Sequence, residues 1–324
     1  MKASRSVSGM RFPGWRDRKP RPARRPAYSH AFLIPAALLL TGAHKPQPPT
    51  GDLVLDAADP VIAVEIQKVP MRLRVDLDRQ DSIELNPAAA ARLPVQWYAG
   101  DPMDVGRIRL PSQVAGVVLN VHGRNVPAEV SQHGRDCCID TDGVIGPDLL
   151  PFATVRWRNT AAPTPSARLT LPLETSEATG LSAASDAGNV RLRFALGAPE
   201  TIATAAAGAT FARLWDGRWS GAERRVRLVF GITRPARPMA FARPGQVAGF
   251  PLGHVLVRLS DFAGNSKLPT DPAQSGEFVI AHHLTHQLAW PAVTIGADRL
   301  SRCAEIIYTA IPRSLTLRCA FGTP

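Results

Sequence analysis

Beyond residue 50 the chain alternates apolar and polar residues over short runs that stop at Gly, Pro or Asp. This is the period-two pattern of half-buried strands. Met71-Arg72-Leu73-Arg74-Val75-Asp76-Leu77 is the clearest case, with an apolar side chain at every second position. Similar runs are Ile62–Ile66, Arg107–Leu110, Ala115–Val121, Val190–Leu196, Val226–Phe230, His254–Leu259 and Phe278–Ala281. Few stretches hold a 3.6-residue period for long, so the chain reads as mainly β. One short helix is signalled at Asn86–Leu93, with Asn86 as N-cap and Pro87 at the first helical position. Residues 158–188, rich in Thr, Ala, Pro and Ser, read as the join between two halves.

The halves repeat one another. Arg72-Leu73-Arg74-Val75-Asp76-Leu77-Asp78 aligns without gaps on Arg191-Leu192-Arg193-Phe194-Ala195-Leu196-Gly197. The match continues through Ser82-Ile83 against Thr201-Ile202, and through an Ala-rich helix ending Ala91-Arg92-Leu93 against Ala212-Arg213-Leu214. Later, Val144-Ile145-Gly146-Pro147-Asp148-Leu149-Leu150 mirrors Thr294-Ile295-Gly296-Ala297-Asp298-Arg299-Leu300. Two matches in the same order point to a duplicated unit. That order resembles the lobes of retropepsin-like and pepsin-like aspartic proteases. In that family a hydrophobic strand leads into an Asp-Thr-Gly-Ala turn carrying the catalytic Asp, and a later Ile-Leu-Gly segment packs beneath it. Asp142-Gly143-Val144-Ile145-Gly146 is the strongest match to that later segment. The resemblance implies two acid-protease lobes in one chain, in a pepsin-like bilobal arrangement. The expected boundaries are a first lobe at 52–160, an inter-lobe linker with the first strand of the second lobe at 161–188, and a second lobe at 189–324.

The family's peptide hydrolysis needs one carboxylate from each lobe, held about 3 Å apart and sharing a proton. Carried over by position, the first lobe keeps Asp76 while the second presents Ala195. The family's Thr position is Leu77 in one lobe and Leu196 in the other, and its Gly position is Asp78 in the first lobe and Gly197 in the second. Gly146 and Gly296 carry the supporting Ile-Gly segments. The resemblance therefore implies a bilobal shell without peptidase activity, binding an extended peptide or protein partner in its inter-lobe cleft. The alternative is an active aspartic endopeptidase in which Asp76 pairs with its own copy in a homodimer, or with Asp78 or Asp81. Asp140-Thr141-Asp142-Gly143 contains an Asp-Thr pair but lies in the connecting loop before Val144, outside the catalytic turn.

The formal charge of +11 changes this picture little. Before residue 44 nine basic residues face the single acid Asp17, so +8 of the total lies there. A nucleic-acid partner is not expected. This basic segment runs into Ala31–Ala43, mostly apolar and ending Thr41-Gly42-Ala43, the order of a secretory signal. Residues 1–43 are read as a signal peptide and 44–51 as a linker, which makes the protein periplasmic or secreted. An uncleaved signal would act as a membrane tether, and no other membrane span is expected.

Export permits disulfides. Cys303 and Cys319 flank two short apolar runs and could meet across a hairpin, whereas the adjacent Cys137 and Cys138 are poor partners for one another and are left open between long-range pairing and free thiols. His282-His283-Leu284-Thr285-His286 places imidazoles four apart, yet follows a strand-like run and lacks the Glu of a metalloprotease motif. Ser220 in Gly217–Gly221 sits one position late for a nucleophile elbow. No metal or cofactor is expected. Trp97, Tyr98, Trp215 and Trp219 are read as core packing before cleft lining.

Overall fold

The computed structural model describes residues 48–105, 108–174, 180–261, 266–267 and 291–321. The signal reading of 1–43, the strand Phe278–Ala281 and the histidines 282, 283 and 286 lie outside the described residues. The chain enters through β1 (Asp52–Asp56). It then builds a first lobe from β2 (Val61–Ile66), β3 (Val69–Val75), β4 (Ile83–Leu85), the single turn α1 (Pro87–Ala90), β5 (Tyr98–Val105), β6 (Ile108–Val121), β7 (Arg124–Gln132) and β8 (Gly143–Ile145). The strands β9 (Thr154–Arg158) and β10 (Ala167–Pro172) follow. The second lobe contains β11 (Ser182–Ala183), β12 (Arg191–Phe194), β13 (Ile202–Ala203), α2 (Ala205–Trp215), β14 (Gly217–Trp219), β15 (Arg224–Arg227), β16 (Thr233–Val247) and β17 (Phe250–Arg258). The small pair β18 (Ser260–Asp261) and β19 (Ser266–Lys267), then β20 (Ala292–Ile295) and α3 (Ala297–Leu300), complete it, and the hairpin β21 (Cys303–Thr309) and β22 (Ser314–Cys319) follows.

The protein is mainly β, with two lobes of one design. The first-lobe sheet runs β2-β3-β8-β4-β7-β6-β5 and the second β11-β12-β20-β13-β17-β16-β14. Strand directions agree position by position. The pairs β3/β8 and β4/β7 are parallel with β8/β4 and β7/β6 antiparallel, as are β12/β20, β13/β17, β20/β13 and β17/β16 in turn. A third sheet, β1-β9-β21-β22-β10, takes strands from both halves.

Pairing register corrects the internal alignment by one residue. Leu85 faces Gly143 while Ala203 faces Val293, and Val75 and Phe194 face Ile145 and Ile295. The residue equivalent to Ile202 is therefore Glu84 and not Ile83. The first lobe carries one extra residue in the turn after Asp78, where Asp81 takes a left-handed conformation (φ 60°).

The core follows the alternation. Leu73 and Val75 of β3, and Leu192 and Phe194 of β12, point inward and are buried, sharing one cluster with Ile145, Ile295 and Phe211. Fully buried Trp157 of the third sheet donates its indole N–H to the Val75 carbonyl at 3.2 Å. A side chain from the third sheet thus fixes the end of β3, one residue before Asp76.

Three local expectations change. Asn86 precedes α1 but makes no cap bond. Its amide instead donates to the Cys138 and Thr141 carbonyls and its oxygen accepts from Cys137 N–H. The N-cap that does close is Thr204, whose hydroxyl accepts from Ala207 N–H at 3.2 Å and starts the 11-residue α2. Val226–Phe230 does not continue as a strand, because β15 ends at Arg227 and Val229–Gly231 forms a 3-10 turn. The structure joins Cys303 to Cys319 across the β21–β22 hairpin, and joins the neighbours Cys137 and Cys138 to each other. The poor geometry expected of adjacent cysteines is met by a tight loop in which Asn86 holds both of their N–H groups.

Candidate functional site

The two turns that follow β3 and β12 are held alike. Asp76 N–H donates to the Ile145 carbonyl at 3.0 Å, and Ala195 N–H donates to the Ile295 carbonyl at the same distance. Beneath each turn lies an Ile-Gly-x-Asp segment. A Cβ on Gly146 would stand 2.3 Å from the Arg79 carbonyl oxygen, and one on Gly296 would stand 2.5 Å from the Glu200 carbonyl. Only glycine permits this approach. The Asp of each segment then braces its own turn: Asp148 accepts from Asp81 N–H at 3.1 Å, and Asp298 accepts from the Thr201 hydroxyl at 2.8 Å.

The turns meet at Asp76. One carboxylate oxygen accepts from Leu196 N–H at 3.0 Å and from Asp78 N–H at 3.2 Å; the other accepts from Gly197 N–H at 2.8 Å. Both oxygens are therefore bonded to backbone of the second lobe, and the side chain is buried. Ala195, at the matching position of the second lobe, contributes a buried methyl. Burial pushes the Asp76 carboxyl up to about 6; the charge of Asp78 adds to this, and the three backbone donors oppose it.

Asp78 reaches across to Arg193 of the second lobe, Oδ1 to Nη2 at 2.8 Å. The segment before β11 lies on the same turn. Leu181 N–H donates to the Leu77 carbonyl at 2.9 Å, and a Cβ on Gly180 would stand 2.8 Å from the Asp78 backbone. Leu77 is fully buried and Leu196 packs at the core's margin. Asp81 shares the surroundings of Asp148, which burial pushes up to about 6 while the Asp81 N–H bond and Arg313 at 3.2 Å oppose the rise. Neither of the acids considered as substitutes is therefore free for Asp76: Asp78 is paired with Arg193 and Asp81 belongs to the Asp148 group. Asp142 bonds to the middle of β3, accepting from Arg72 N–H at 2.8 Å, and pairs with Arg92.

Sequence reading missed a buried polar group next to this turn. Glu84 is fully buried and bonds to the Ser131 hydroxyl at 2.6 Å, to His133 Nδ1 at 2.9 Å and to Arg79 Nη2 at 3.5 Å. The available signal was Glu84 itself, an acid between Ile83 and Leu85 in a strand buried at all three positions. His133 carries the connection onward, its ring 5.0 Å from that of Phe230 in the second lobe. The tryptophans serve packing, with Trp215 stacked on Phe211 at 4.6 Å and Arg237 lying over Trp219. Among the described residues, no three His, Cys, Asp or Glu side chains gather as a metal ion would require, and no helix is long and apolar enough to cross a membrane.

The fold is aspartic-protease-like and mainly β, with two like lobes in one chain. No family model and no curated protein matches the chain. Among solved structures, EIAV protease complexed with the inhibitor HBY-793 is similar to 28% of this chain and 85% of its own, with 19% identity and a TM-score of 0.24.

Proposed function

We propose that this is an exported, periplasmic or secreted protein that binds an extended peptide or protein segment between its lobes without cleaving it. One observation carries the reading: both oxygens of Asp76 accept N–H groups from Leu196 and Gly197 of the opposite lobe. An acid protease needs those lone pairs for a second carboxyl and for the water that attacks the peptide. Here three of the roughly four lone-pair positions are taken by backbone N–H groups, two of them from the opposite lobe. The supply of β-edges in both lobes suits an extended ligand, whose main chain can pair independently of its sequence.

The test is a digestion and a binding measurement on the same preparation. Incubation with casein from pH 3 to 7 should release no peptides above a blank, with or without a transition-state mimic of the acid proteases. A panel of extended peptides followed by calorimetry should give saturable binding. Cleavage that disappears in Asp76→Ala would overturn the proposal.

A further inference from the structure

One aromatic side chain of the second lobe is seated in the first. Phe230 lies in the turn between β15 and β16, in a left-handed conformation (φ 55°, ψ 31°), and is followed by Gly231 at φ 66°. Left-handed backbone is unfavourable for a bulky side chain. The turn nevertheless exposes Val229 and buries Phe230 to 4% exposure. The ring lies with Val105 and Leu110 of the β5–β6 hairpin, with Met103 and Cys137 at the margin, and against the ring of His133. Its neighbour Ile232 covers the cluster from the second lobe.

Two features mark this as a seat built by the first lobe and only occupied by the second. The cluster is separate from the main core, so emptying it leaves the cores of both lobes intact. Its polar wall is also fixed without Phe230, because His133 is held by Glu84, which is in turn held by Ser131 and Arg79.

We propose that Phe230 is an intrachain occupant of a first-lobe binding site for a large apolar, preferably aromatic, side chain of an extended peptide. The inference rests on the reading of the protein as a peptide binder and names the side chain that anchors the ligand. A ligand must displace Phe230, so the apparent affinity of the wild type is reduced by the fraction of molecules in which the seat is filled. Binding exchanges one aromatic ring for another and moves the 229–231 turn away from the β5–β6 hairpin.

The experiment uses the full chain and two probes, N-acetyl-phenylalaninamide and the peptide panel, with Phe230→Ala and Phe230→Leu as variants. The amide should bind Phe230→Ala about tenfold or more tightly than the wild type, with Phe230→Leu between them. Variants that unfold cooperatively yet bind the amide no better than the wild type overturn the inference. If neither variant folds, Phe230→Trp decides: a peptide containing Phe should shift its emission to the red as the indole leaves the seat, and a saturating peptide that leaves emission unchanged overturns the inference. Peptide binding that ignores every Phe230 variant sinks this inference alone. Amide binding to Phe230→Ala, with no peptide bound by any form, supports the seat and sinks the cleft reading instead.

Discussion

Ionising Asp76 should destabilise the folded protein, and the size of the effect follows from its surroundings. Its carboxyl rises from 3.8 to about 6, first through burial and then through the charge of Asp78. At ~1.4 kcal/mol per pKa unit, this amounts to about 3 kcal/mol. The folded value lies above the unfolded one, so between roughly pH 4 and 6 the folded state binds more protons. Stability therefore falls as pH rises through that window and levels off above it. Asp148, also raised to about 6, acts in the same direction. Urea unfolding of the wild type and Asp76→Asn from pH 3.5 to 7.5 separates the two contributions. Asp76→Asn should lose less stability than the wild type across this range, by about 3 kcal/mol, and retain the share of Asp148. Asparagine keeps one acceptor but turns an amide N–H₂ toward Leu196 or Gly197, so the comparison lies in the slope and not in absolute stability. Parallel curves for the two proteins would show that the three backbone donors fully offset burial, and an opposite difference in slope that they outweigh it; either result refutes burial as the dominant force on Asp76.

Glycine substitutions test the close approach beneath the turn. Gly146→Ala should cost about 2–3 kcal/mol by overpacking against the Arg79 carbonyl, whereas Gly253→Ala, which meets nothing within 4 Å, should stay within ~0.5 kcal/mol in the same unfolding assay. Glu84→Ala strips Arg79, Ser131 and His133 of a shared buried acceptor; a loss of about 3–5 kcal/mol is expected by denaturant titration. Replacing both Cys303 and Cys319 by Ala opens a link between residues 16 apart. This should lower stability by about 3 kcal/mol and leave the slope with pH unchanged. The Asp78–Arg193 pair is partly exposed, at 30% and 24%, so a double-mutant cycle should return only ~0.5–1 kcal/mol.

What the sequence could reveal was set by how local each feature is. The alternation in Met71–Val75 and Arg191–Phe194 and the two Ile-Gly-x-Asp segments needed no distant information, and they led to the duplicated β architecture. Pro111 misled, because a proline inside an alternating run looks like a break between Arg107–Leu110 and Ala115–Val121. In the structure β6 runs unbroken through it, and β5 bulges opposite, between Gly100 and Met103, where no partner needs the missing N–H. Asn86 misled for a related reason. Its position was right for a cap, but the loop of Cys137 and Cys138, some 50 residues further on, claims its side chain. The Glu84–His133 contact spans 49 residues and the Phe230–His133 contact joins separate lobes, so neither leaves a trace in local pattern.

An alanine at position 195, the residue that matches Asp76 in the second lobe, does not make Asp76 dispensable. With only a methyl at position 195, the N–H groups of Leu196 and Gly197 point at Asp76 and bond to it inside a buried interface. Remove the carboxylate and both donors are left without a partner, at about 1–3 kcal/mol each. Keep it, and a buried acid must be tolerated, which the lobes do by raising its pKa and surrounding it with three donors. An Asp placed at position 195 would not fit this interface as it stands. The incoming carboxylate would need the space and the hydrogen bonds now held by the 196–197 backbone, and the Asp78–Arg193 pair would have to shift with that turn. The first-lobe acid is thus held in place by the 196–197 backbone of the opposite lobe, and its presence alone says little about catalysis.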